Sequence, residues 1–244
     1  MPLYGLIGYP LAHSFSKKYF TNKFASEGLR DCFYENFEIN NITDLKNIVA
    51  THPDLRGLNV TLPYKTSVIP LLDDVNATAA AINAVNTIAI QNGKLTGYNT
   101  DCIGFKQSLT NFIGDQKPKA LILGTGGAAQ AVSYVLKNMG INYLFVSRSI
   151  TNENTITYAR LTTDVLLHHL LIINCTPLGK LNNENGLPPI DYTLLSPSHL
   201  LFDLNYNPTH TLFMQMGTNK KCAVKNGYEM LVLQAEASWR IWND

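Results

Sequence analysis

The run Ala120-Leu121-Ile122-Leu123 leads directly into Gly124-Thr125-Gly126-Gly127-Ala128-Ala129, and a helical pattern follows to about Met139. Gly124, Gly126 and Ala129 carry a G-x-G-x-x-A spacing. The first glycine permits a tight turn and the second lets a diphosphate come close to the backbone. Ala129 keeps the helix near the strand, and the helix N-terminus stabilises negative charge. Between a strand and a helix, this pattern favours dinucleotide binding over a purely structural turn. The next apolar run, Tyr143–Ser147, completes a βαβ unit. It ends Ser147-Arg148-Ser149, where an NAD-preferring site carries an acidic residue for the ribose 2′-hydroxyl. A guanidinium between two hydroxyls suits a 2′-phosphate. The residues therefore favour NADP, with a solvated surface arginine as the plain alternative.

The rest of the chain keeps the alternation of short apolar runs and helical patterns that marks an α/β fold with a parallel sheet. Strands are expected at Leu3–Gly8, Cys32–Phe37 and Gly57–Val60. A helix carrying Tyr19, Phe20 and Phe24 should stop near Gly28, and another should span Ile42–Val49. Thr87–Ile90 and Leu95–Tyr98 flank Asn92-Gly93, a type I′ hairpin signal. The polar stretch Gly114–Lys119 reads as the entry to a second unit. Thr151–Asn154 and Asn182–Asn185 read as exposed loops. A last helix, about Gly227–Trp242, sets Met230, Gln234, Ala237 and Ile241 on one stripe. Gln234 there is either a boundary residue or a ligand contact.

Composition narrows the function classes. The 244 residues hold 19 basic and 18 acidic side chains, a net charge of +1, with no basic run longer than a pair. That argues against a nucleic-acid or anionic-membrane footprint. No stretch reaches the ~18 apolar residues of a membrane span, and the first residues lack the pattern of a signal peptide. Cys32, Cys102, Cys175 and Cys222 lie far apart with no C-x-x-C pair, so a reducing cytoplasm is expected and a metal site is not.

Several further segments place hydroxyls, amides and charges at element ends. Ser14 and Ser16 follow the first strand, and Asn59, Thr61 and Lys65 follow the third. Asn86 and Asp101 lie in Ile82–Thr87 and Gly97–Asp101. Each alone can be capping or turn chemistry. In order, the blocks GYPLAHSFS, GLNVTLPYK, INAVNT, GYNTDCIGF, LILGTGGAAQA, SRS, NCTPLG, DLNYNPTHTLF and NGYEMLVLQAEASW span Gly8 to Trp239. This ordered set resembles the shikimate dehydrogenase family.

The resemblance implies an N-terminal α/β substrate domain with a mainly parallel sheet, residues 1–100 completed by 227–244. It also implies a Rossmann-like NADP-binding domain, residues 101–226. The implied activity is the reversible NADPH-dependent reduction of 3-dehydroshikimate to shikimate. Lys65 and Asp101 match the family's catalytic pair. Ser14, Ser16, Asn59, Thr61, Asn86, Tyr206 and Gln234 match its substrate contacts. Gly124, Gly126, Gly127, Ala128, Ser147, Arg148, Ser149, Thr176, Gly227 and Met230 match its NADP contacts. The implied partners are the small-molecule substrate and cofactor, with neither nucleic acid nor membrane; monomer and homodimer stay open. Lys17 and Phe20 stand where the family usually carries Pro and His, which implies a changed start to the first helix. Ser147 stands for the usual Asn, and the stretch from Arg148 to Asn174 is short for the family. Both departures bear on the adenine side of the cofactor.

Overall fold

The computed structural model describes residues 1–12, 14–150 and 152–244. His13, in the serine-bearing turn, and Thr151, in the first asparagine-rich loop, lie outside the described residues. The chain divides into two compact units, Met1–Thr100 with Ala235–Asp244, and Asp101–Gln234.

Unit 1 contains β1 (Leu3–Gly8), α1 (Phe15–Ser26), β2 (Phe33–Glu38), α2 (Leu45–Thr51), β3 (Leu55–Val60), β4 (Asp74–Val75), α3 (Ala77–Ile82), β5 (Thr87–Gln91) and β6 (Lys94–Tyr98). The sheet runs β2-β1-β3-β5-β6-β4. β1 is parallel to both β2 and β3, and β5 is antiparallel to β3 and β6. The antiparallel half follows from the Asn92-Gly93 turn, whose φ angles of 52° and 78° suit Asn and Gly. Alternation along the strands gives the sheet two apolar faces. Ile7, Leu58, Val60 and Ile88 meet α2 through Leu45 and Ile48. Tyr4, Leu6 and Tyr34 meet Phe20 and Phe24 of α1 and Trp242. The helix expected over Ile42–Val49 begins later. Asn41 accepts from the Thr43 backbone N–H, holding Ile42–Asp44 in a 3-10 turn before α2.

Unit 2 contains α4 (Asp101–Ile113), β7 (Ala120–Leu123), α5 (Gly127–Asn138), β8 (Tyr143–Ser147), β9 (Thr155–Thr157), α6 (Thr163–His168), β10 (Leu171–Asn174), β11 (Leu200–Asp203), α7 (Leu212–Asn219), β12 (Ala223–Asn226) and α8 (Tyr228–Asn243). The last turns of α8 belong to unit 1. All strand pairs are parallel, in the order β12-β11-β10-β7-β8-β9. Counted from β7, this is the 3-2-1-4-5-6 order of a doubly wound sheet, and the strand order reverses between β7 and β10. The unit starts at Asp101, ahead of the polar break at Gly114–Lys119. The break only separates α4 from β7. The apolar face of α4 decides its membership, since Phe105 and Phe112 meet Phe202 of β11 at ring distances of 5.4 and 6.0 Å.

Candidate active site

In unit 1, the segments after β1 and β3 leave from the same edge of the sheet, because those strands are parallel neighbours. The first carries Ser14, the N-cap residue of α1, which makes no side-chain capping bond. Its Oγ is buried and has no hydrogen-bond partner among the described residues. A buried hydroxyl left unsatisfied at a helix start suits an incoming anion. Ser16 lies in the first turn of α1.

The second segment is a turn held at several points. Thr61 N–H donates to Ile7 O at 2.9 Å and Tyr64 N–H to Thr61 O at 3.0 Å. The Tyr64 hydroxyl donates to Ile39 O at 2.7 Å. Lys65, half-buried, follows directly, and its carbonyl accepts from Val85 N–H at 2.7 Å. Val60 N–H in turn donates to Asn86 O at 2.9 Å. The backbone thus brings Thr61, Lys65 and Asn86 to one strand edge.

Asn59 and Asn86 are only 5% and 3% exposed. Asn59 Oδ1 accepts from the Tyr34 hydroxyl at 2.8 Å, and its Nδ2 donates to Ser238 Oγ at 3.0 Å. Asn86 Oδ1 accepts from Thr100 N–H at 2.6 Å, and its Nδ2 donates to Thr100 Oγ1 at 3.0 Å. Burial pushes the Tyr34 phenol far up from its ordinary value, against a lowering bond from Ser16. It therefore acts as an O–H donor.

In unit 2 the glycine turn lies where β7 ends, beside the reversal in strand order. Gly124 has φ of +99°, a conformation that side chains rarely adopt. A Cβ on Gly126 or Gly127 would meet nothing within 4 Å, so the space over the turn is open. Gly126 is the N-cap of the twelve-residue α5 and offers no side-chain cap, leaving the first N–H groups of that helix for an anion. Ala128 sits in the first turn of α5. Ser147 ends β8, with Arg148 and Ser149 exposed just beyond. The donor set and the open turn fit a dinucleotide diphosphate with a phosphorylated ribose.

Thr176 and Tyr206 sit on loops tied together by Asp203. Its carboxylate accepts from Asn174 Nδ2, Asn205 N–H and Asn205 Nδ2, each at 3.0 Å, and from Thr211 Oγ1 at 2.6 Å. Asn174 Oδ1 accepts from Thr176 N–H and Oγ1 at 3.0 and 2.7 Å. Burial pushes the Asp203 carboxyl up to about 6, with the four donors pulling the other way. Burial also raises the Tyr206 phenol. Gly227 packs so close to Leu204 O that a Cβ would stand 2.1 Å away. Met230 and Gln234 are buried, with the bare Cα of Gly104 on α4 against that stretch of α8. The Gln234 amide donates back to Leu231 O at 2.8 Å. Asp101 opens α4 and is half-buried.

Sequence reasoning passed over Tyr34, Thr100, Asp203 and Ser238, which hold the expected residues in place. Ser238 had a legible signal, as a second polar side chain four residues after Gln234. Tyr34 had none, because an aromatic on a strand reads as core. Tyr158 was also passed over. β9 pairs with β8 through Ser147 and Thr157, which puts Tyr158 near Arg148. Burial holds its phenol up at about 12, with Cys175 adding to the rise and Arg148 opposing it. Among the described residues, no cluster of three or more His, Cys, Asp or Glu could hold a metal ion, and no helix is long and apolar enough to cross a membrane.

Comparison with known proteins adds an independent line. Residues 6–88 match the family model described as the shikimate dehydrogenase substrate binding domain. The chain is 36% identical to the NADP(+) shikimate dehydrogenase of Aquifex aeolicus, covering 99% of this chain and 91% of that one. The solved shikimate 5-dehydrogenase of Thermus thermophilus, in complex with NADP(H) and shikimate, superposes with a TM-score of 0.87 at 29% identity, over 99% and 93% of the two chains. The quinate dehydrogenase of Corynebacterium glutamicum, in complex with NAD, gives 0.88 at 26% identity, over 99% and 93%. With a relative this similar along almost its whole length, the chain belongs to the shikimate dehydrogenase family.

Proposed function

We propose that this chain is an NADP-dependent shikimate dehydrogenase, reducing 3-dehydroshikimate to shikimate with NADPH and running in reverse with NADP+. The observation that carries this reading is the kinship along the full chain, which takes in both the serine-bearing turn and the glycine turn. We assign cofactor binding to unit 2 and most of the substrate contacts to unit 1, with Asp101, Tyr206 and Gln234 coming from unit 2.

Ser14 and Ser16, at the start of α1, bind the substrate carboxylate; the Ser14 hydroxyl, without a partner among the described residues, supports this. Asn59, Thr61, Asn86, Tyr206 and Gln234 fix the ring and its hydroxyls. The backbone groups of Gly124, Gly126, Gly127 and Ala128 hold the diphosphate. Ser147, Arg148 and Ser149 hold the 2′-phosphate, while Thr176, Gly227 and Met230 line the rest of the cofactor site. The bound nicotinamide supplies the hydride. As negative charge develops on the substrate's ketone oxygen, the Lys65 ammonium stabilises it and donates the proton, giving the alcohol. Asp101 binds a ring hydroxyl. None of the four cysteines forms a disulfide, which supports a reducing, cytoplasmic setting.

The test is the initial rate of shikimate oxidation with NADP+ and with NAD+ at matched concentrations. Fast turnover with NADP+ and little with NAD+ is expected. Comparable rates would remove the role given to Arg148, and no turnover from folded protein would remove the activity. The likeness to a quinate dehydrogenase favours one second reading, and quinate run beside shikimate decides between them.

A further inference from the structure

We propose that Ser238, on the last helix, is a positioning residue for the substrate pocket, linked with Tyr34 through the amide of Asn59. This rests on the reading that Asn59 and Asn86 hold the substrate. All of the groups involved belong to unit 1.

The argument begins with the amide of Asn59. Its Oδ1 accepts from the Tyr34 hydroxyl, so its NH2 must face the other way, toward Ser238. The Nδ2 also lies 3.3 Å from both Asn86 O and Thr87 Oγ1. On the far side, Ser238 Oγ lies 2.8 Å from Thr87 Oγ1 and 3.1 Å from Thr100 Oγ1. Thr100 accepts from Asn86 Nδ2 and donates its backbone N–H to Asn86 Oδ1. A continuous hydrogen-bonded path therefore runs Tyr34–Asn59–Ser238–Thr100–Asn86. Asn59 and Asn86 on it are residues assigned to the substrate.

Every interior member of that path is buried, and Ser238 and Thr100 have no exposure at all. Polar groups so placed are tolerated only when satisfied, and a satisfied network has few arrangements. A hydroxyl offers one proton and two lone pairs. Ser238 accepts from Asn59 and shares hydrogen bonds with Thr87 and Thr100. Its rotation is thereby fixed, and the side-chain angles of Asn59 and Asn86 are fixed with it. Alanine at this position would leave three buried partners short of one bond each, free to turn toward alternatives near the substrate.

The experiment uses full-length protein carrying Ser238→Ala, Tyr34→Phe, both together, or Ser238→Thr. Steady-state shikimate oxidation is measured with circular dichroism as the check on folding. Each single change should raise the shikimate KM about tenfold, with kcat within about threefold and the NADP+ KM unchanged. The double variant should be little worse than the poorer single, because one broken link already frees the path. Ser238→Thr, which keeps the hydroxyl, should recover most of the loss. A shikimate KM within twofold of wild type in both single variants would overturn the proposal. So would an equal rise in the NADP+ KM, or losses that multiply in the double variant. If Ser238→Ala fails to fold, Tyr34→Phe, which removes one oxygen, decides alone. No turnover by wild type would overturn the functional reading and this proposal with it. Wild-type turnover with unaffected variants overturns this proposal only.

Discussion

At Lys65 the chain presents an ammonium just past a turn fastened by Thr61, Tyr64 and Val85, so removing the side chain should leave the turn intact. With the role proposed for it, Lys65→Ala should lower kcat for shikimate oxidation at least about 10²-fold, with a smaller change in KM. Near-normal kcat in that variant would exclude the role. Asp203 presents a different case, a buried carboxylate with four donors whose carboxyl is pushed up to about 6. Across about pH 4 to 6 the folded chain keeps that proton while the unfolded chain has released it. Stability from this group therefore falls as pH rises through the window and levels off above it, a change on the order of 3 kcal/mol. In urea titrations, wild type should lose stability relative to Asp203→Asn between pH 4 and pH 6.5. A difference that stays constant would rule the titration out. Lys65 was legible from its block. Asp203 was not singled out, because its donors come from separate loops.

α8 shows what an element's sequence can and cannot tell. Its apolar stripe made the helix predictable, and the polar Gln234 on that stripe was visible as an exception. What Gln234 and Ser238 touch was not visible. Its final turns pack on the sheet of unit 1, where Trp242 donates its indole N–H to Ile88 O at 3.0 Å and lies against Gly57 of β3. A Cβ on Gly57 would stand 2.2 Å from the indole ring. Tyr4, Phe20 and Tyr34 surround the same indole at ring distances of 5.0 to 6.4 Å, so the ring has little room to move. Gly57→Ala should therefore cost about 1–3 kcal/mol of stability through overpacking. Calorimetry showing no loss would mean that the ring can shift without cost. The same glycine in a sequence reads only as a weak point in a strand.

On the scale of the molecule, the end of the chain completes the unit that its beginning starts. Ala235–Asp244 supplies Trp242, Ser238 and Ala235 to the interior of unit 1, with Glu236 accepting from Tyr19 and Lys23. Burial would raise the Glu236 carboxyl, but those two bonds together with the charges of Lys23 and Arg240 outweigh it and hold the group below its ordinary range. Deleting Ala235–Asp244 should expose the aromatic cluster around Tyr4 and Phe20. Dye binding to apolar surface should rise, and the cooperative unfolding of unit 1 should vanish. A truncated chain with unchanged unfolding would show that unit 1 closes without its last helix. Local rules were enough for the sequence to determine the strand–glycine turn–helix, the hairpin at Asn92-Gly93, the helix stripes and the ordered blocks that mark the family. Each depends on residues near one another in the chain, where backbone preference and hydrophobic period act directly. Only the tertiary structure decided that Asp203 gathers its four donors and that Ser238 meets Asn59. Those contacts join residues far apart in sequence, and their energy appears only once a shared core has excluded water from them.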